Sequence, residues 1–531
     1  MLFGRTFRLV AVAAAALVGL SACTFASSAP SSPSASGNAY SEVPGLNQTA
    51  LDVMNQPAYA NGSWSISVRD IDSGEQIVSL NAGTFAEPGS VVKTYSIGAA
   101  WQQFGPDSTV TTPVKSTGQV VNGTLNGNLI LVGEGDLTMG GRTKPDGTVD
   151  FTNLDHNDAN GVPGATLTTE DPLAGLDQLA AQVKAAGINT VSGDVIVDDR
   201  LWDPSELEDQ PITPIIINQN VIDLTTTPTT VGQTAASAMS PQVAPWTIDN
   251  QVMTVAAGGT TAIKVVSPDQ KTLVMTGTIA ADAKPTINVY AFADPATYAR
   301  TAYIEALNRA GVTVTADPTA TNPDAALPST SDVTALPAVA QLKSLPFQQE
   351  ATYTMKISYN RGAQTFICRL AVAAGSKDCD DGLKQAGVIW SKAGLDTTGA
   401  VLIDGSGLPG NVITADNEVQ LQTIMAKRPD AAQWRSTMPA LGVDGSLAMV
   451  QAGTPSVGKV IAKTGTLASA DGLNGRYYLP AKALGGYIDT KSGRHFAFTI
   501  IASGSVFNDG EGIFAANDDV GKVAASIQQS Y

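Results

Sequence analysis

The sequence predicts a mixed α/β (α+β) fold: an antiparallel sheet with helices packed on it, carrying a large α+β insertion after the helix that opens at Ser90. Three observations predict this. Strand patterns stand near both chain ends: apolar and polar residues alternate in Ser63–Arg69, and Gly485–Asp489 and Phe496–Ile501 flank the Lys491-Ser492-Gly493 turn. Three short polar strings follow one another in the order Ser90-Val91-Val92-Lys93, Ser358-Tyr359-Asn360 and Lys463-Thr464-Gly465-Thr466. Half of the chain separates the first string from the second, and a much shorter stretch separates the second from the third. One compact domain does not need the first gap, so something substantial is inserted there.

Taken in order, the chain begins with Arg5 and Arg8 and an apolar run from Leu9 to Leu20. The run is short for a membrane span, and its flanks are those of a secretory signal peptide, residues 1–22. It ends in Leu20-Ser21-Ala22-Cys23, which resembles a bacterial lipobox and makes Cys23 the candidate lipid anchor. Ordinary cleavage after small residues is the plainer alternative. Residues 23–41 are rich in Ser, Ala, Pro and Gly and read as a disordered tether. The expected localisation is therefore the cell envelope, outside the cytoplasm, with the membrane as a partner through the lipid.

The body divides into residues 42–106, an inserted part at 107–334, and residues 335–531. In the first part, Ser63–Arg69 and Gln76–Leu80 form a hairpin around the Asp72-Ser73-Gly74 turn. Pro88-Gly89 breaks the chain, and a helix runs from Ser90 with Ile97, Trp101 and Phe104 on its buried stripe until Gly105-Pro106. In the insertion, Val120–Leu131 reads as a hairpin, Leu176–Gly187 as an amphipathic helix, Val191–Asp198 as a strand and Tyr298–Gly311 as a second helix. The Pro-, Ala- and Thr-rich stretch 315–334 reads as the exit linker. The last part alternates helices and strands, and a helix from about Asp519 to Gln529 closes the chain.

A formal net charge of −17 disfavours nucleic acid and other polyanions as partners. Cys368 and Cys379 are candidates for a disulfide, which an exported protein would keep; two independent buried thiols are the alternative. With only two histidines, His156 and His495, and three cysteines, the composition argues against a zinc site. No metal or cofactor is expected.

Ser90 and Lys93 are three apart, which on a helix puts both side chains on one face. A serine hydroxyl is a weak nucleophile until a base takes its proton, and a lysine serves only as a neutral amine. The helix start adds free N–H groups and a dipole that favour a developing oxyanion. Taken alone, Ser90 would be an N-cap. Ser358 and Asn360 stand at i and i+2 ahead of a helical run, Gly362–Ala374. There Ser358 can relay a proton, and the two-sided amide of Asn360 can hold Lys93 and a substrate amide. Lys463 and Gly465 share one face of a strand, with Thr464 and Thr466 on the other. The missing Cβ of Gly465 lets a ligand backbone lie close. Lys463, Thr464 and Thr466 suit a carboxylate, and the Thr466 N–H is a natural second oxyanion donor beside that of Ser90.

On these strings the chain resembles the class C, low-molecular-mass penicillin-binding proteins, the D-Ala-D-Ala carboxypeptidase/endopeptidase family of serine peptidases, S13. Gly133-Glu134-Gly135-Asp136-Leu137-Thr138, Ser192–Asp198, Asp404-Gly405-Ser406-Gly407-Leu408 and Gly442–Leu447 also look familiar from it. The resemblance covers almost the whole mature chain. It implies a penicillin-recognising, β-lactamase-like catalytic domain with extra domains II and III. It implies an acyl-enzyme on Ser90, Lys93 as base, Ser358 and Asn360 as relay, and Lys463, Thr464 and Thr466 on the terminal carboxylate. The implied substrate is the D-Ala-D-Ala end of a peptidoglycan stem peptide, with β-lactams as covalent inhibitors.

Three departures stand out: Pro88-Gly89 where relatives have Pro-Ala, Tyr359 where they have Asp, and Pro409-Gly410 where an Arg is expected. Two other readings stay open, a catalytically weak cell-wall binding lipoprotein and a serine β-lactamase or esterase. The Gly133 string is better read as a turn than as a phosphate loop, because no P-loop lysine follows. His495 is better read as a packed or surface strand residue.

Overall fold

The computed structural model describes residues 40–531. The signal-peptide reading of 1–22, Cys23 and nearly all of the 23–41 tether lie outside the described residues. Strand β1 (Ser63–Asp70) turns into β2 (Gln76–Leu80), and the turn Gly89–Val92 leads into helix α1 (Lys93–Phe104). Gly105 ends α1 with φ +79° and its N–H on the Trp101 carbonyl at 2.9 Å.

The insertion opens with β3 (Thr111–Ser116) and β4 (Leu129–Val132), followed by α2 (Ala174–Ala185) and β5 (Val195–Asp198). A short hairpin, β6 (Ser205–Leu207) and β7 (Gln210–Ile212), comes next. The β-rich portion follows with β8 (Val221–Thr227), β9 (Thr272–Ala280) and β10 (Thr286–Ala291). Helix α3 (Pro295–Arg309) starts with Pro at its first position and the Asp294 side chain capping Thr297 N, and β11 (Ala338–Lys343) closes the insertion.

Two readings change here. The exit of the insertion lies beyond residue 334, because β11 pairs antiparallel with β3 in the sheet β11-β3-β4-β5. The stretch 315–334 is also packed rather than a free linker. The guanidinium of fully buried Arg300 donates to the carbonyls of Asp317, Pro318 and Ala320 at 3.0, 3.2 and 2.9 Å. Asn322 bonds both backbone groups of Val197 at 2.8 and 2.9 Å. Polar anchoring replaces the apolar side chains that this segment lacks. The Val191–Asp198 strand divides around Gly193, whose N–H bonds Gly127 O at 3.1 Å, into pieces that serve two sheets.

The last part contributes α4 (Phe347–Lys356), α5 (Asn360–Ala373), α6 (Asp380–Lys392) and α7 (Ala415–Ala426). Three long strands follow, β12 (Val460–Asp471), β13 (Arg476–Asp489) and β14 (His495–Ser503), and then α8 (Glu511–Ser530). The main sheet runs β2-β1-β14-β13-β12, all antiparallel, so both chain ends build it. Alternation along β13 sends Leu484 and Ile488 to a core with α8, and Ala483 and Tyr487 to a core with α1 and α4–α7. Trp101 of α1 is fully buried edge-to-face against Phe347 and Trp434, at 6.1 and 5.6 Å between centroids. Among the described residues no helix is long and apolar enough to cross a membrane.

Candidate active site

The turn that carries Ser90 is pressed against the edge strand β12. A Cβ on Gly465 would stand 1.9 Å from the Pro88 carbonyl oxygen, so only glycine fits there. Gly89 has φ +52°, and a methyl group on it would meet Thr466 N at 2.7 Å. The Pro-Gly departure thus sets bare backbone beside the Thr466 N–H. It brings the turn that carries Ser90 and the Lys463–Thr466 string together.

Lys93, on the first turn of α1, is fully buried. Its Nζ donates to Ser90 Oγ at 2.7 Å, Asn360 Oδ1 at 2.7 Å and the Ser406 carbonyl at 2.9 Å. That carbonyl is aimed by Asp404, whose carboxylate accepts from Ser406 N, Ser406 Oγ and Gly407 N at 2.6, 2.8 and 2.8 Å. The Asp404–Leu408 string is therefore a loop built to present a backbone oxygen to Lys93.

Ser358 and Asn360 lie where α4 gives way to α5. Ser358 has φ +62°, a left-handed conformation that costs a non-glycine residue about 1–3 kcal/mol. Lys463 Nζ donates to its Oγ at 2.8 Å and to the Thr464 carbonyl at 2.7 Å. The first and second strings therefore meet through Lys93, and the second and third through Lys463. Tyr359, between them, points away from this meeting and into the core, 3 % exposed and tilted against Tyr353 at 5.8 Å. The middle departure thus alters packing rather than the polar cluster.

The insertion also reaches the cluster. Asn360 Nδ2 donates to Glu208 at 3.2 and 3.1 Å, and Glu208 and Asp209 form the β6–β7 turn at φ +54° and +57°. That hairpin packs on a small core of Trp202, Leu207, Ile212, Cys368 and Cys379. The two cysteines are bonded, with Cα atoms 4.3 Å apart, and tie α5 to the start of α6.

Two of the third string's hydroxyls have side-chain partners. Thr464 Oγ1 and Ser446 Oγ are 2.7 Å apart, which accounts for the Gly442–Leu447 string. Thr466 Oγ1 accepts from Lys482 Nζ at 2.6 Å. Burial alone pushes the Lys482 amine down to about 7. Behind α1, burial pushes the Glu418 carboxyl up to about 8, with Gln422 and Thr94 bonded to it.

The Gly133–Thr138 string is a joint between insertion and body. Leu137 N bonds Glu350 at 3.2 Å, and burial followed by the nearby Glu350 charge raises Asp136 to about 6. His495 is an exposed strand residue paired with Asp489 at 2.8 Å. Glu208, Ser406, Ser446, Glu418 and Lys482 carry no motif of their own. Only the strings around Ser406 and Ser446 gave a signal in the sequence.

The model of the D-Ala-D-Ala carboxypeptidase 3 (S13) family matches residues 46–524. The chain is 29% identical over 496 residues to the D-alanyl-D-alanine carboxypeptidase of Actinomadura sp. (strain R39), spanning 88% of this chain and 84% of that protein. Penicillin binding protein 4 (dacB) from Haemophilus influenzae has the same fold, with TM-score 0.65 at 20% identity, covering 89% of this chain and 97% of its own. Its complex with a novel beta-lactam gives TM-score 0.63 at 20% identity, over 90% and 99% of the two chains. The family model spans nearly all of the described chain, including all three polar strings, and this protein belongs to the D-Ala-D-Ala carboxypeptidase 3 (S13) family.

Proposed function

We propose that this serine peptidase cleaves the D-Ala-D-Ala end of peptidoglycan stem peptides, as a carboxypeptidase, an endopeptidase or both, through an acyl-enzyme on Ser90. The observation that carries the reading is the double link, Ser90–Lys93–Asn360 and Ser358–Lys463, which joins three strings far apart in sequence. In its neutral form Lys93 takes the Ser90 proton while Oγ attacks the carbonyl carbon of the penultimate D-Ala. The N–H groups of Ser90 and Thr466 hold the oxyanion. Ser358 passes a proton to the leaving amine, the C–N bond breaks and the terminal D-amino acid departs. Water then cleaves the Ser90 ester. Lys463, Thr464 and Thr466 grip the terminal carboxylate, with Gly465 clearing room for the substrate backbone. A β-lactam enters the same chemistry, but its ring-opened leaving group stays attached, so the adduct persists.

The signal peptide and lipobox support export and an envelope location, with Cys23 as the lipid-bearing first residue. Intact-protein mass spectrometry after incubation with benzylpenicillin tests both parts. Wild type gains a stable adduct and Ser90→Ala gains none. A folded wild type without an adduct favours a wall-binding lipoprotein, and rapid release of opened β-lactam favours a β-lactamase. Protein extracted from membranes shows a mass that starts at a lipidated Cys23; a bare N-terminus there sinks the anchor.

A further inference from the structure

Lys482 lies on β13 in register with Thr466 on β12, and its side chain is on the same face of the sheet. The residue is 4 % exposed, and its Nζ donates to Thr466 Oγ1. Among the described residues it forms no ion pair, and burial alone accounts for its lowered amine. A buried amine given one hydroxyl and no counter-ion is costly to keep. The arrangement has a chemical consequence for the hydroxyl. In its charged form the amine donates and cannot accept, so Thr466 Oγ1 is then the acceptor in this pair. The Thr466 hydrogen is then free to be donated elsewhere. A carboxylate, which only accepts, is the natural receiver.

We propose that Lys482 is a positioning residue: it commits the Thr466 hydroxyl to donate to the substrate's terminal carboxylate, and its buried charge favours carboxylate-ended substrates over neutral ones. The inference rests on the reading of Lys463, Thr464 and Thr466 as the carboxylate anchor. Lys482 acts through Thr466, because its nitrogen sits one hydroxyl back from the ligand. Once an anion binds, the charged amine is favoured further, so ligand and lysine reinforce one another.

The test uses two thiolesters of one N-acyl-D-alanine, one with a thioglycolate leaving group and the other with its methyl ester. Wild type prefers the carboxylate-bearing compound in kcat/KM. In Lys482→Met that preference falls about tenfold, carried by KM of the anionic substrate. Thr466→Val lowers the preference too, and the double variant loses no more than Thr466→Val alone, as expected for one path. Met is close in shape and removes a buried amine that lacks a counter-ion, so the variant should fold. Lys482→Gln takes its place if it does not, with the same fall expected. A preference that survives in the folded Lys482 variants, or losses that simply add in the double variant, overturns the inference alone. A wild type with no preference overturns the carboxylate anchor, and this inference with it.

Discussion

Two buried polar clusters lie between the insertion and the catalytic body, and they are built differently. At the joint, Arg142 forks onto Asp155 with both bonds at 2.9 Å. Its Nη2 is 2.9 Å from His156 Nε2, and His156 Nδ1 is 2.6 Å from Asp223. Asn218 closes the set on Asp223 at 2.8 Å, and the Arg142 guanidinium lies 4.7 Å from the centroid of the Tyr353 ring. Here a guanidinium is answered by a carboxylate. Around Ser90, by contrast, Lys93, Lys463 and Lys482 donate to hydroxyl, amide and carbonyl oxygens. The first arrangement is complete without a ligand. The second sets hydroxyl groups and amines in order around a place where a carboxylate and an oxyanion would arrive. Buried polarity alone therefore does not mark an active site; the kind of partner does.

The sharpest way to break the contrast is to delete one member from each cluster. Lys93→Met removes the amine bonded to Ser90 Oγ, the base of the proposed mechanism. Acylation by benzylpenicillin should slow by at least about a thousandfold, with little change in melting temperature. Asp155→Ala does the opposite. It strands Arg142, which is 4 % exposed, without its forked partner, and should cost about 3–5 kcal/mol of stability. Burial would raise the Asp155 carboxyl, but Arg142 outweighs it and holds the group below the usual range. The stabilisation is therefore present at neutral pH and is lost as pH falls through the acid range. Urea unfolding and adduct kinetics on both variants decide it. If Lys93→Met melts early with normal acylation, or Asp155→Ala stays stable, the two clusters are not what their partners suggest.

How far the sequence foretold this depends on the carrier of each function. Ser90, Lys93, Ser358, Asn360 and Lys463 could be picked out because each proposed role admits few residue types at fixed spacing, and the fold brings the five together. The Ser406 carbonyl was not, since a backbone oxygen has no residue identity; only its supporting Asp404 has one. Lys482 was hidden because nothing in a strand of Pro, Ala, Leu and Gly says which hydroxyl lies opposite. Glu208 comes from a hairpin whose position depends on how the insertion docks. The exit of the insertion was misplaced for a related reason. β11 belongs with β3, far earlier in the chain, and no local pattern records that pairing.

Glu418 offers the finest test, because it lies against α1 and bonds a hydroxyl and an amide as the groups around Ser90 do, yet faces no ligand in the proposed mechanism. Its Oε2 is 2.8 Å from Thr94 Oγ1, and Thr94 Oγ1 is also 2.8 Å from the Val91 carbonyl. One hydroxyl hydrogen cannot serve both. The pattern closes if Glu418 is protonated and donates to Thr94, which then donates to Val91, and this agrees with a carboxyl raised to about 8 by burial. The sign follows. Below about pH 4.5 the group is protonated folded or unfolded and contributes no pH dependence. Between there and about 8 only the unfolded chain releases the proton, so stability falls as pH rises; above 8 the penalty is constant. Glu418→Gln keeps the shape and an amide donor and removes the penalty. Its gain over wild type in urea should grow from near zero at pH 4.5 to a few kcal/mol, on the order of 2–4, at pH 8. Acylation should change less than about twofold, since the hydrogen bonds of Glu418 run to Thr94 and Gln422. Parallel stability curves for the two proteins would mean that Glu418 is ionised in the fold. A large loss of acylation would move it into the machinery around Ser90.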